Sequence, residues 1–167
     1  MINILFVCMG NICRSPTAQG VVSKLVADNC LRDTVRVESA GTHANFLGEP
    51  PDSRAQQAAR NRGIDLSGLR ARRVAAEDFK AFDLILAMDR ENLDFLLGAC
   101  PPQYHSKIHL FLSYANDCDM DEIPDPYYGG SMGFDRALDL VENAAQGLID
   151  SLRRAEVSYL HRDRCPA

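Results

Sequence analysis

Several kinds of segment are missing from this sequence of 167 residues. No apolar run reaches the length of about 18 residues that a membrane-spanning helix requires. The apolar N-terminus has only the length of a strand, so it does not predict a signal peptide. The formal net charge of −5 gives no support for nucleic-acid binding. Repeats, low-complexity stretches and linkers are also missing, and we expect a single domain over residues 1–167 that binds neither membrane nor nucleic acid.

What the sequence contains is an alternation of short apolar runs with helical patterns. Hydrophobic residues make up 46% and charged residues 25%, as is typical of globular proteins. The pattern predicts strands at 2–7, 35–39, 84–88 and 108–111. It predicts helices at 15–27, 52–62, 89–97 and 133–155, followed by a loose tail at 156–167. This alternation is typical of an α/β fold with a doubly wound parallel sheet.

The most informative segment is the junction of the first strand and the first helix, INILFVCMGNICRSPTAQG. Cys8 follows the strand directly, so it is expected at the carboxyl edge of the sheet, where α/β folds bind ligands. The residues up to Arg14 can only form a tight loop, in which Gly10 and Asn11 would tolerate positive φ. Ser15 is a suitable helix N-cap and is followed by Pro16, which suits the first helical turn.

This loop predicts an anion site next to a reactive cysteine. Backbone N–H groups in a curled loop, together with a helix N-terminus, favour a bound phosphate. Arg14 can bind two phosphate oxygens at once. The same positive field favours the thiolate of Cys8, the form that acts as a nucleophile. The alternative is a structural one, in which Cys8 is a buried cysteine at a strand end and Arg14 a capping residue.

A second motif lies far downstream, at Asp125-Pro126-Tyr127-Tyr128. A carboxyl group beside a phosphate ester can protonate the leaving oxygen and later accept a proton from water. Asp-Pro is more often an ordinary turn, so this role for Asp125 depends on the upstream loop. Tyr127 and Tyr128 would stack against an aromatic substrate at the mouth of the site, although either could instead be a core residue.

The motif CMGNICRS resembles the phosphate-binding loop of the low-molecular-weight protein tyrosine phosphatases, C-x4-C-R-S followed by Pro. DPYY at 125–128, SAGT at 39–42 and FDLILAMDRENL at 82–93 also resemble that family in kind and order. The resemblance implies a four-stranded parallel sheet in the order 2-1-3-4. It implies a phosphatase without a metal or other cofactor, in which Cys8 is the nucleophile, Arg14 the phosphate clamp and Asp125 the general acid and base.

The same resemblance assigns the surrounding residues. The phosphate would be bound by Met9, Gly10, Asn11, Ile12, Cys13, Arg14 and Ser15, and the substrate ring by Phe46, Tyr127 and Tyr128. Asn45 is the alternative to Phe46 for the facing wall. Ser15, Asn11 and Ser39 would support the thiolate and the loop, and Cys8 and Cys13 would form a reversible disulfide. The family's usual His in this network is replaced by Leu69, so we expect Arg70 or Arg72 to brace the loop instead.

Three other functions share these features. An arsenate reductase would need cysteines for a thiol relay, for which Cys100 is the candidate, and would lack the paired tyrosines. A phosphoarginine phosphatase would carry Thr in place of Ile12. A phosphotyrosine-binding module without catalysis is the third, although every expected catalytic residue is present.

Compartment and partners follow from the same reasoning. The six cysteines are irregularly spaced and Cys8 must be a free thiol, so we expect the reducing cytoplasm rather than a disulfide framework. The expected partners are phosphotyrosine proteins, either a bacterial tyrosine kinase or host proteins.

Overall fold

A computed structural model describes residues 1–162, with side chains described for residues 1–155. The strands are β1 (Ile2–Cys8), β2 (Val35–Gly41), β3 (Leu84–Ala87) and β4 (Ile108–Leu110). The helices are α1 (Arg14–Asp28), α2 (Ser53–Arg60), α3 (Asp78–Ala81), α4 (Arg90–Ala99) and α5 (Ser131–Arg162). The strands form one parallel sheet in the order β2-β1-β3-β4, which confirms the predicted fold class.

The central strand β1 has a buried side chain on both faces of the sheet. Ile4 and Phe6 contribute to a core shared with α1, α2 and α5, whereas Leu5 and Val7 contribute to a second core against α3 and α4. Adjacent residues of a strand point to opposite faces, which explains why the run is continuously apolar. Helices cover both faces of the sheet, and Cys8 ends β1 at its carboxyl edge.

The predicted elements differ from the structure most clearly in three places, and most other boundaries shift by one or two residues. Phe111 begins a 3-10 helix (Phe111–Tyr114) instead of ending β4, and its ring packs edge-on against Phe6 at 4.8 Å between centroids. Helix α3 and a 3-10 helix at Pro102–Lys107 were not predicted, because such short elements have little periodicity.

The third difference is the C-terminal tail. The prediction of a loose tail from residue 156 is wrong up to Arg162, because α5 continues through that residue. No Gly or Pro occurs between Leu148 and Arg162, so nothing in this stretch stops the helix. Residues 163–167 of the predicted tail lie outside the described residues. No helix in the described part of the chain is both long and apolar enough to cross a membrane.

Candidate active site

The loop between β1 and α1 opens into a cavity of about 140 Å³ at the carboxyl edge of the sheet. The predicted residues that line this cavity are Cys8, Met9, Gly10, Ile12, Cys13, Arg14, Phe46, Asp125, Tyr127 and Tyr128. Asn45 lines it too, so both candidates for the facing wall border the cavity. Asn11, Ser15 and Ser39 are buried. Their hydrogen bonds link them to one another and, through Ser15, to Cys8.

The sulfur of Cys8 contacts one hydroxyl group, that of Ser15, at 3.0 Å. The Ser15 Oγ also accepts a hydrogen bond from Asn11 Nδ2 at 2.9 Å and lies 3.2 Å from the carbonyl of Ala40. A hydroxyl has a single proton to donate. It can therefore donate to Ala40 when Cys8 is a thiol and to the sulfur when Cys8 is a thiolate.

Ser15 does not cap α1, in contrast to the prediction. The helix begins at Arg14 with Cys13 at the N-cap, and the N-cap side chain makes no capping hydrogen bond. The Ser15 hydroxyl is occupied by Cys8, Asn11 and Ala40 instead. The N-terminus of α1 therefore faces the loop without a side-chain cap, and among the described residues the backbone N–H groups of residues 9–13 donate no hydrogen bond. These groups are free to donate to an anion.

Asn11 keeps the loop in its turn. Its φ of 55° is in the left-handed region, which Asn tolerates better than most residues. Its Nδ2 donates to Ser15 and to Ser39, both at 2.9 Å, and its Oδ1 accepts from the backbone N–H of Arg72 at 2.9 Å. Gly10, the other residue expected at positive φ, has an ordinary conformation. The absence of a side chain at Gly10 instead makes room for Phe46, because a Cβ there would lie 2.9 Å from the Phe46 ring.

Arg70 and Arg72 were the two residues expected to brace the loop. Arg72 does brace the loop, but through its backbone N–H, while its guanidinium pairs with Asp78 at 2.9 Å and Glu38 at 3.2 Å. Arg70 does not contribute, since its side chain donates to the carbonyls of Ser67 and Leu69. The two ion pairs fix the segment that carries the Arg72 N–H, and so act on Asn11 indirectly.

The end of β2 supports the loop over several residues, which sequence reasoning did not foresee. A Cβ on Gly41 would lie 2.7 Å from the Met9 carbonyl oxygen, so only glycine allows this close approach. The N–H groups of Thr42 and His43 donate to the carbonyls of Cys8 and Met9, both at 2.9 Å. The SAGT motif was the available signal, but its function became apparent only from these contacts.

Arg14 is almost fully buried and extends across the floor of the cavity. Its NH1 donates to Asp89 Oδ2 at 2.5 Å and to the Ile123 carbonyl at 3.0 Å, and its NH2 donates to Asp125 Oδ2 at 3.2 Å. Burial lowers the pKa of Arg14, but the negative charges of Cys8, Asp89 and Asp125 outweigh it and raise this pKa. These bonds use three of the five guanidinium N–H groups. The buried Nε has no partner among the described residues, so its N–H and the second N–H of NH2 are left for a ligand.

Asp89 is a site residue that the sequence reasoning missed, since it was expected only to cap α4. It does cap the helix, with Oδ1 accepting the Asn92 N–H at 2.7 Å. Its other oxygen, however, orients Arg14. The carboxylate thus performs two functions, and the second depends on a residue 75 positions away.

Asp125 and the two tyrosines form the opposite side of the cavity. The Asp125 side chain is 36% exposed, and its Oδ1 accepts the Tyr127 N–H at 3.1 Å. The Tyr127 ring is partly buried and lies 6.0 Å from that of Phe46, whereas Tyr128 is 95% exposed and contacts Tyr127 edge-on at 4.9 Å. Neither tyrosine is a fully buried core residue.

The cysteines in the described part of the chain are free thiols, and Cys165 lies outside it. Burial is the main reason that the pKa of Cys13 is strongly raised, and the charges of Asp52, Cys8 and Asp125 raise it further. Cys13 is therefore a neutral thiol beside the cavity. No group of three or more His, Cys, Asp or Glu side chains within the described residues could hold a metal ion.

Comparisons with known proteins agree with this geometry. A sequence model of the family "Low molecular weight phosphotyrosine protein phosphatase" matches residues 3–158. A low molecular weight protein-tyrosine-phosphatase of Bacillus subtilis is 37% identical over 154 residues, which cover 92% of this chain and 97% of that protein.

Solved structures show the same fold. A protein tyrosine phosphatase from Entamoeba histolytica with Hepes in its active site has a TM-score of 0.90 and 40% identity, covering 93% of this chain and 99% of that one. Vibrio vulnificus Wzb in complex with benzylphosphonate has a TM-score of 0.78 and 31% identity, covering 90% and 98%. On the combined evidence of its sequence, sheet order and loop geometry, the chain belongs to the low molecular weight phosphotyrosine protein phosphatase family.

Proposed function

We propose that this protein hydrolyses protein phosphotyrosine through a cysteinyl-phosphate intermediate formed on Cys8. The observation that carries the proposal is the shared cavity, in which the Cys8 sulfur, the Arg14 guanidinium and the Asp125 carboxyl group meet. The substrate phosphate would bind to the free loop N–H groups, to the N-terminus of α1 and to the unpartnered Nε of Arg14.

In the first step the Cys8 thiolate attacks phosphorus and forms a sulfur–phosphorus bond. The bond from phosphorus to the phenolic oxygen breaks, and Asp125 donates its proton to that oxygen, so tyrosine leaves as a neutral phenol. In the second step Asp125 removes a proton from water, which attacks phosphorus. The sulfur–phosphorus bond then breaks, which releases phosphate and restores the thiolate.

Arg14 and Ser15 stabilise the two charges that change during this cycle. Arg14 binds the equatorial oxygens, and Asp89 orients its guanidinium in advance, so little reorganisation is needed. Ser15 donates to the sulfur whenever Cys8 is negatively charged, including when it becomes the leaving group of the second step. Asn11 and Ser39 hold the loop that carries Arg14 and Ser15 in place.

The arsenate-reductase alternative is disfavoured by the position of Cys100. Cys8 belongs to the core on one face of the sheet and Cys100 to the core on the other. Cys100 also follows the C-terminal end of α4, and its thiol donates to the Pro101 carbonyl. A thiol relay from Cys8 to Cys100 would have to cross the sheet.

Selectivity for phosphotyrosine over phosphoarginine is expected to depend on Ile12. The side chain lines the cavity and is only 8% exposed, so it forms an apolar wall. A phenyl ring that packs against this wall gains about 25 cal/mol of binding free energy per Å² of apolar surface removed from water. A guanidinium would lose water there without gaining a hydrogen bond. We expect the kcat/KM of wild-type protein to be much higher for phosphotyrosine than for phosphoarginine or phosphoserine. Ile12→Thr should reduce the difference in kcat/KM between phosphotyrosine and phosphoarginine. Parallel kcat/KM measurements on the three substrates test this, and a preference of the wild type for phosphoarginine would contradict it.

Oxidation is expected to inactivate the enzyme reversibly. Peroxide converts Cys8 to a sulfenic acid, which condenses with the neutral Cys13 thiol to form a disulfide and water. Thiol reductants should restore wild-type activity, whereas Cys13→Ser should be inactivated and recover poorly, because its Cys8 sulfenate can be oxidised further. Cys30→Ser, which removes an exposed thiol, should behave as wild type. Peptide mapping should identify a Cys8–Cys13 link, and a Cys8–Cys100 link would instead favour the arsenate-reductase alternative.

The proposed partners are phosphotyrosine proteins, with a bacterial tyrosine kinase or a host protein as candidates. The proposed compartment is the cytoplasm, because a reducing environment keeps Cys8 as the free thiol that the mechanism requires. Incubation of the Cys8→Ser variant with labelled lysates and identification of the bound phosphotyrosine proteins would test the choice of partner.

A further inference from the structure

Arg54 lies outside the cavity, yet it contacts one of the aromatic walls. It is the second residue of α2, and its side chain is 41% exposed. Its guanidinium carbon lies 5.6 Å from the centroid of the Tyr127 ring and 4.6 Å from that of Phe134. Both distances are within the roughly 6 Å at which a cation is attracted to a ring face. Arg54 therefore connects the DPYY segment to the first turn of α5.

The guanidinium is fixed in direction by Asp52. Its Nε donates to Asp52 Oδ1 at 3.0 Å and its NH2 to Oδ2 at 2.8 Å, a two-point pairing that sets the plane of the group. Asp52 is itself anchored, because its N–H donates to the carbonyl of Ile12 at 2.8 Å. A continuous chain of contacts thus runs from the phosphate-binding loop through Asp52 and Arg54 to the Tyr127 ring.

Tyr127 needs such a contact because its own segment has little regular structure. Residues 124–130 lie between a 3-10 helix and α5, without a helix or strand of their own. The Tyr127 backbone is attached to Asp125, but that bond does not orient the ring. The ring borders the cavity opposite Phe46, so its orientation sets the width of the space for an aromatic substrate.

We propose that Arg54 is a positioning residue for substrate selectivity, which fixes the Tyr127 ring as one wall of the aromatic slot. This inference rests on the proposed phosphotyrosine phosphatase function. Among the described residues the side chain of Arg54 hydrogen-bonds to Asp52, and its hydrogen-bonded link to the phosphate loop passes through the Asp52 N–H. Its removal should weaken recognition of the aromatic part of a substrate and leave recognition of the phosphate intact.

Binding of two phosphonates separates these contributions without turnover. Methylphosphonate occupies only the phosphate cradle, whereas benzylphosphonate adds a ring. The dissociation constant of methylphosphonate divided by that of benzylphosphonate therefore measures how much the ring contributes to affinity. We expect Arg54→Met, which keeps an unbranched side chain but removes the cation, to reduce this ratio by roughly three- to tenfold. The affinity for methylphosphonate should not change. Arg54→Lys, with its charge but without the planar fork, should show a smaller loss.

Two further variants identify the route of the effect. If Arg54 acts through the ring, Arg54→Met should cause no additional loss in a Tyr127→Leu background. Arg60→Met is the matched control, because Arg60 lies on the same helix and its side chain donates to Gln57. This control should retain the wild-type ratio. In kinetics, Arg54→Met should raise KM for a phosphotyrosine peptide with little change in kcat.

An unchanged ratio in Arg54→Met, or an equal loss of both phosphonates, would overturn the inference. The first result would mean that the contact does not position the ring, and the second that Arg54 supports the cradle or the fold. Full additivity with Tyr127→Leu would overturn it as well. If wild-type protein bound benzylphosphonate preferentially but failed to hydrolyse the phosphotyrosine peptide, the proposed function would fail while the phosphonate ratios still decided the function of Arg54.

Discussion

Cys8→Ser is expected to lose phosphotyrosine hydrolysis by on the order of 10⁵- to 10⁶-fold while phosphate analogues still bind. The serine hydroxyl does not ionise near neutral pH, so neither the loop field nor the Ser15 contact can turn it into a comparable nucleophile. The cradle does not depend on the sulfur, since its donors are the loop N–H groups, the start of α1 and Arg14. Steady-state kinetics measures the loss of hydrolysis, and calorimetric titration with benzylphosphonate measures the retained binding.

The matched control for this variant is Cys30→Ser, which changes the same atom at an exposed thiol that follows the C-terminal end of α1 and does not line the cavity. It should retain wild-type activity. Substantial hydrolysis by Cys8→Ser would contradict the covalent mechanism, since water or another group would then have to attack phosphorus directly. Loss of analogue binding in Cys8→Ser would show instead that the sulfur is needed to shape the cradle.

Asp125→Asn is expected to slow hydrolysis by roughly 10²–10⁴-fold for substrates with poor leaving groups. The amide cannot donate an acidic proton, so the phenolic oxygen must leave as an oxide. A good leaving group such as 4-nitrophenolate needs this help least, and its rate of release should fall least. A series of substituted phenyl phosphates, analysed as rate against leaving-group pKa, should give a steeper dependence for the variant than for wild type.

Asn conserves the size of the side chain and can still accept the Tyr127 N–H, so the local turn should persist. Asp119→Asn provides the control, because Asp119 is an exposed carboxylate in the same acidic loop. It should leave the leaving-group dependence unchanged. An equal loss across the whole series in Asp125→Asn would mean that Asp125 shapes the loop or orients Arg14 but transfers no proton.

The local parts of the molecule were predictable because their causes lie close together in the sequence. The apolar run that ends at Cys8, the short loop and the following helix lie within neighbouring residues, so the pattern predicted their order correctly. The Asp89 cap of α4 was predicted for the same reason, since a cap involves residues three apart. The exact start of α1 was not, because the Ser15 hydroxyl is occupied by Cys8 and Ala40.

The sequence by itself thus determined the fold class, the nucleophile loop and the two motifs that point to phosphoryl chemistry. The tertiary structure decided which distant groups complete the site. Arg14 donates to Asp89, the Arg72 N–H donates to Asn11, and the Arg54 guanidinium contacts the Tyr127 ring. Each of these is a contact between segments far apart in the chain. Such contacts depend on strand register and helix packing, which no local pattern of residue types encodes, whereas helix, strand and turn preferences arise from neighbouring residues alone.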